Sequence, residues 1–145
     1  FRSSYFAYTD SDLEICKECP DDFMEKFIKL LKSDPRVVKV GFSLRIDDIP
    51  DHYANKKEVI EWESQFWKKE VRKGVYNAPV DTTFSVHKPW YPGGWCRFKD
   101  RHYRVGPPYV MRHLPWYLDA ENLSDEDKYY LENIKTVTHW SDKNK

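Results

Sequence analysis

YFAYTDSDLEI, residues 5–15, is an apolar run that stops on two carboxylates one residue apart. The run, Ser4 to Thr9 at its widest, has the continuous apolar character of a strand buried in a sheet that is covered on both faces. Asp10 then stands at the strand's C-terminal edge. Carboxylates at i and i+2 point to opposite faces of an extended chain, yet at a strand-to-loop turn their oxygens can converge. Two chemistries fit Asp10 and Asp12: ordinary turn residues, or oxygen ligands for a hard divalent cation, Mg²⁺ or Mn²⁺, whose coordination is completed by substrate phosphates.

The same pattern recurs downstream. A helix is expected from about Asp21 to Lys32, with Pro20 and the two aspartates at its N-terminal end, Lys29 and Lys32 at the other, and Phe23, Phe27 and Leu31 on its apolar stripe. VVKVGFSLRI, Val37 to Ile46, reads as a second strand that again finishes on acids, Asp47 and Asp48. Strand, helix, strand is the signature of an α/β unit, and ligand sites in open sheets of that class gather beyond the carboxyl ends of strands. KKEVIEWESQFWKK predicts a second helix, Lys56 to Lys69, in which Glu63 falls on the apolar face with Val59, Ile60, Phe66 and Trp67. Such an acid is either a structural carboxylate paired with an arginine or a functional group.

Further on, Asp81 precedes a strand expected over Thr82 to Lys88, followed by the turn-rich PWYPGGW. FKDRHYRV suggests a last strand, and the proline-punctuated GPPYVMRHLPWYLD an ordered loop. Ser124 and Asp127 form a capping-box pattern for a final helix, Asp125 to Ile134. His113, beside Arg112, offers a late imidazole as a third metal ligand, while the guanidinium suits bidentate contact with a phosphate.

Composition narrows the partners. The 145 residues suit one domain, 1–145, and carry 24 basic against 24 acidic side chains, with 17% aromatics. Nucleic-acid binding is disfavoured by that even balance. Membrane spanning is too, since no apolar run approaches the roughly 20 residues a span needs. Cys16, Cys19 and Cys96 are too few for a disulfide scaffold; the C-x-x-C pair is half a zinc site, a redox pair or, as we read it, two thiols in a loop. Sparse thiols and the absence of a signal-like start point to a cytoplasmic setting. Phe1 opens directly into a β-rich segment, which suggests a piece of a longer protein.

YFAYTDSDLE resembles the strand and D-x-D motif of nucleotide-sugar glycosyltransferases with the GT-A fold. KVGFSLRIDDIPDHY, the WE of VIEWESQFW, APVDTTF and RHLPWYLD together resemble a narrower group of these enzymes from bacteria and large DNA viruses, chlorella viruses among them. The likeness runs from Ser4 to about Trp140. It implies a mixed-sheet α/β domain related to the Rossmann fold, here without the N-terminal nucleotide-binding strands that precede the D-x-D strand in the family. That upstream segment of the same protein would then be a partner, and without it the sheet would expose an edge. For a viral protein the compartment would be the host cytoplasm.

The resemblance implies a metal-dependent transferase that moves a sugar from a nucleoside diphosphate donor, UDP first among them, to a glycan or glycoprotein acceptor. Asp10 and Asp12 would lie beside the diphosphate and the Mn²⁺ or Mg²⁺, with Asp12 the direct ligand and His113 the late histidine of the metal site. Ser11 would touch the donor sugar or ribose. If the reaction inverts the anomeric centre, Asp81 is the first choice for the base that deprotonates the acceptor, with Asp47, Asp48 and Glu63 as rivals; if it retains configuration, the same carboxylates would position or stabilise the charged transition state. Asp47 would also contact the acceptor, and Trp90, Tyr91 and Trp95 would form a stacking wall for it, or simply pack. The competing classes are a non-catalytic carbohydrate- or protein-binding module and a metal-dependent phosphohydrolase.

Overall fold

The computed structural model describes residues 4–81, 83–89, 91, 99–119 and 121–133. They form a mixed α/β structure around one sheet of seven strands. The chain begins with β1 (Phe6–Tyr8), β2 (Leu13–Ile15), α1 (Phe23–Ser33) and β3 (Val37–Leu44). It continues through α2 (Lys56–Ser64), a 3-10 turn (Gln65–Trp67), β4 (Glu70–Arg72), β5 (Val75–Asn77) and β6 (Ser85–His87). β7 (Arg101–His113), a second 3-10 turn (Leu114–Tyr117) and α3 (Asp125–Asn133) complete it.

The strands lie in the order β1-β6-β3-β7-β5-β4, with β2 added against the end of β7. β6 is antiparallel to both β1 and β3, and β7 is parallel to β3. β1, β3 and β7 therefore point the same way. Their C-terminal ends share one edge of the sheet with the N-terminal end of β6.

β3 is central, and its alternation separates two faces. Val40, Phe42 and Leu44 meet α1, whose Phe27 and Leu31 are fully buried; the Phe27 and Phe42 rings touch edge to face with centroids 4.9 Å apart. Each such side chain contributes about 1.5–3 kcal/mol by leaving water. Lys39, Gly41 and Ser43 face the other way. There His87, Lys39 and His102 stand in register across β6, β3 and β7, all three buried. The Val80 N–H donates to His102 Nδ1 (3.2 Å), and the Tyr91 hydroxyl meets Nε2 (3.2 Å). This arrangement requires a neutral imidazole, because a protonated ring has no acceptor left for Val80. Burial first, and the Lys39 charge second, hold both histidines down to a pKa of about 4.

Several boundaries differ from those expected. β1 is not covered on both faces: it pairs with β6 alone among the described residues, and Tyr8 is 57% exposed. The helix expected to reach Lys69 leaves α geometry at Ser64 and tightens into the 3-10 turn. A hairpin, β4 to β5, follows, turning on Gly74 at φ 72°, a left-handed conformation that glycine adopts at little cost. The segment read as a proline-rich loop is instead the second half of β7. Its pairing jumps from Phe42↔Val105 to Ser43↔Val110, so the prolines at 107 and 108 sit in a bulge where their missing N–H groups interrupt no ladder bond.

The capping box appears as expected at α3: Ser124 Oγ accepts the Asp127 N–H (3.1 Å), and the Asp127 carboxylate accepts the Ser124 N–H (3.2 Å). Cys16 is buried and Cys19 half-buried, both as free thiols between β2 and α1; Cys96 lies outside the described residues. No helix among the described residues is long and apolar enough to cross a membrane.

Two outcomes test this packing. A Cβ added at Gly41 would sit 2.7 Å from Val80 Cγ1 and 2.8 Å from the Phe84 carbonyl oxygen, so Gly41→Ala is expected to destabilise by about 1–3 kcal/mol in chemical denaturation. The histidines bind protons more readily unfolded than folded, so stability falls as pH drops from about 6.5 toward about 4, by roughly 3 kcal/mol per histidine. A denaturation midpoint that does not move across that window would contradict the buried neutral pair.

Candidate functional site

The shared sheet edge gathers the acids singled out in the sequence. Asp10 follows β1, Asp12 precedes β2, Asp47 and Asp48 follow β3, Asp81 lies ahead of β6, and His113 ends β7. β2 is what draws Asp12 to His113. Leu13 pairs with His113 in the antiparallel ladder, and the Leu114 N–H donates to the Asp12 carbonyl (2.9 Å). His113 Nε2 then lies 3.2 Å from Asp12 Oδ2, with the imidazole tilted against Trp116 at a centroid distance of 4.9 Å.

Two atoms of this pair are buried without a partner, Asp12 Oδ1 and His113 Nδ1. Such orphans are uncommon and call for an explanation. Burial holds the His113 pKa down in spite of the Asp12 and Asp10 carboxylates beside it, which leaves the ring in the neutral form that binds metals. The Asp10 pKa is raised, first by burial and then by the charges of Asp12 and Asp81, while Tyr8 and His113 offset part of the rise. Crowded carboxylates with a neutral imidazole make an electron-rich pocket.

These residues fit a hard divalent cation. Two ligands about 2.1 Å from one octahedral ion, and adjacent to each other, are about 3 Å apart, the spacing of His113 Nε2 and Asp12 Oδ2. Among the described residues no group of three or more His, Cys, Asp or Glu side chains is placed to hold a metal, so Asp10 does not join the pair as a third donor. The protein would supply part of the coordination and the substrate the rest. Ser11, between the aspartates, is exposed.

Asp48 and Arg112 find each other. Arg112 donates through Nε (3.0 Å) and Nη2 (2.7 Å) to Asp48 Oδ2, and the Tyr117 hydroxyl donates to Oδ1 (2.6 Å). Burial works to raise the Asp48 pKa, but the bonds from Tyr117 and Arg112 outweigh it and hold the carboxyl below its ordinary value. A carboxylate stabilised in this way is a weak base, and its guanidinium partner is already engaged. Asp47 is 75% exposed and bonds Arg45 Nε (2.9 Å).

Glu63 is buried, 2.9 Å from the equally buried Arg104, whose Nε also donates to the Pro79 carbonyl (2.7 Å). Burial pushes the Glu63 carboxyl up and Arg104 pulls it back. The guanidinium stacks 4.0 Å over the Phe66 ring, which completes its apolar enclosure. Asp81 is the base candidate that is exposed and close enough to Asp10 for its charge to be felt there. Tyr91 is buried against His102; Trp90 and Trp95 lie outside the described residues.

Arg104, Arg45, Tyr117 and Lys39 were not singled out from the sequence. Glu63 on an apolar helix face was the one signal for Arg104, since a buried acid implies a buried cation somewhere. Compared with protein-family models, with curated proteins and with solved structures, the chain matches none.

Glu63→Gln leaves Arg104 buried beside a neutral amide, and the expected loss is about 3–5 kcal/mol in chemical denaturation. At a temperature where the variant is folded, metal binding at Asp12 should be unchanged. A variant as stable as the parent that loses ligand binding would instead put Glu63 in the site.

Proposed function

We propose that this chain is the metal-holding, acceptor-side part of a nucleotide-sugar glycosyltransferase. The observation that carries the reading is the Asp12–His113 pair, 3.2 Å apart with a buried orphan atom on each side chain, at the edge where three parallel strands end. The D-x-D resemblance and the mixed α/β sheet are consistent with it. UDP-sugar as donor, and a glycan or glycoprotein as acceptor, follow from the resemblance.

Asp12 and His113 would hold Mn²⁺ or Mg²⁺, and Asp10 would sit beside the diphosphate. The bound ion would offset the charge that develops on the departing nucleoside diphosphate. Asp81, exposed on the same edge, is the carboxylate free to accept the acceptor hydroxyl's proton. Asp48 instead holds Arg112 and Tyr117 in place, and the Glu63–Arg104 pair anchors α2 to the sheet behind them.

Calorimetric titration of the chain with UDP, with and without Mn²⁺, tests the reading. Binding is expected only with the metal, and Asp12→Ala should weaken it at least about tenfold while leaving the thermal midpoint nearly unchanged. Binding of UDP by a folded protein that is indifferent to Mn²⁺ and to Asp12 would remove the metal from the account. Release of free phosphate from UDP would favour a phosphohydrolase.

A further inference from the structure

A cleft of about 590 Å³ opens beside the end of β3; Asp47 of the site edge lines it, whereas Asp12 and His113 do not. Its size falls within the roughly 300–1,000 Å³ typical of small-molecule pockets. Trp67, Pro107, Pro108 and Val110 supply apolar wall. The Trp67 ring is fixed from behind: its centroid is 5.2 Å from that of Tyr76, edge to face, and a Cβ at Gly106 would come within 3.3 Å of it. On the solvent side stand Glu18 and Asp47, 61% and 75% exposed, with Arg45 between them at 3.2 and 2.9 Å.

An apolar wall alone would accept any hydrophobe, but the rim narrows the ligand. The carboxylates of Glu18 and Asp47 are acceptors only, and the Arg45 guanidinium between them is a donor only. A ligand that suits both has an apolar face together with hydroxyls that donate as well as accept. A pyranose does: its C–H bonds make a flat apolar face that stacks on indole and proline, and its hydroxyls ring the edge.

Charge excludes the donor from this place. Two carboxylates against one guanidinium leave the rim net negative, which repels a diphosphate. The cleft is nonetheless tied to the metal edge, because Arg45 also reaches Asp48 Oδ2 (3.3 Å), the oxygen that Arg112 grips one residue before His113. We propose that the cleft is a saccharide subsite for an uncharged pyranose of the acceptor, stacked on Trp67 with its hydroxyls on Asp47 and Glu18. Its role as acceptor site rests on the transferase reading; the sugar binding itself does not.

Nitrogen-15 NMR of the full chain reads the tryptophan indole protons directly. Methyl glycosides of galactose, glucose and mannose are titrated, and the Trp67 resonance is assigned by its loss in Trp67→Phe, which keeps an aromatic ring. The expected result is a saturable shift of that resonance with at least one glycoside, weakened about fivefold in Asp47→Asn, whose side chain is exposed and whose fold is not at risk. A Trp67 resonance that no glycoside moves overturns the subsite, even where UDP binds with Mn²⁺. So does a response unaltered in Asp47→Asn, or one produced equally by UDP alone. A saturable sugar response in a protein that binds no UDP supports the subsite and removes the transferase reading instead.

Discussion

The parallel alignment of β3 with β7 is the constraint on which the rest of the structure depends. β3 is hydrogen-bonded on both sides, to β6 and to β7, and both of its faces are buried. Because β6 runs against it, β1 on the far side of β6 must run with it. Three strands therefore deliver their last residues to one edge, and the antiparallel β6 delivers its first. Acids that are far apart in the sequence, at 10, 12, 48 and 81, reach the same border of the sheet.

The two faces of the sheet are built on different principles. The α1 face is an ordinary apolar core of Phe27, Leu31, Val40 and Phe42. On the other face charge is packed inside: Arg104 with Glu63, and Lys39 between two neutral histidines. A buried ion pair is weak evidence for stability but strongly penalises loss of one partner. Loss of either partner of the Glu63–Arg104 pair would therefore leave an uncompensated charge inside this face.

Much of the layout was legible in the residues. The amphipathic stripe of α1, the β-branched run of β3 and the Ser124–Asp127 box are local signals, and local signals are written in neighbouring letters. β7 was not legible beyond Val105, because two prolines argue against a strand unless the bulge that accommodates them is known. The hairpin around Gly74 joins strands of three residues each, too short to show alternation. At the site, Asp12 and His113 were each recognisable, whereas Arg112 was expected at a phosphate and instead clasps Asp48. Partners separated by 64 residues are set by topology, which propensity does not contain.

The bulge in β7 has a consequence for changes of chain length next to the site. Between Val105 and Val110 the strand accommodates four more residues than β3 does over the same step. Beyond it the ladder resumes at Val110 and Met111 on β3 and at His113 on β2, and that pairing sets which way each later residue faces. A residue gained or lost within the bulge is absorbed there, as bulges absorb extra residues generally, and the imidazole keeps its place beside Asp12.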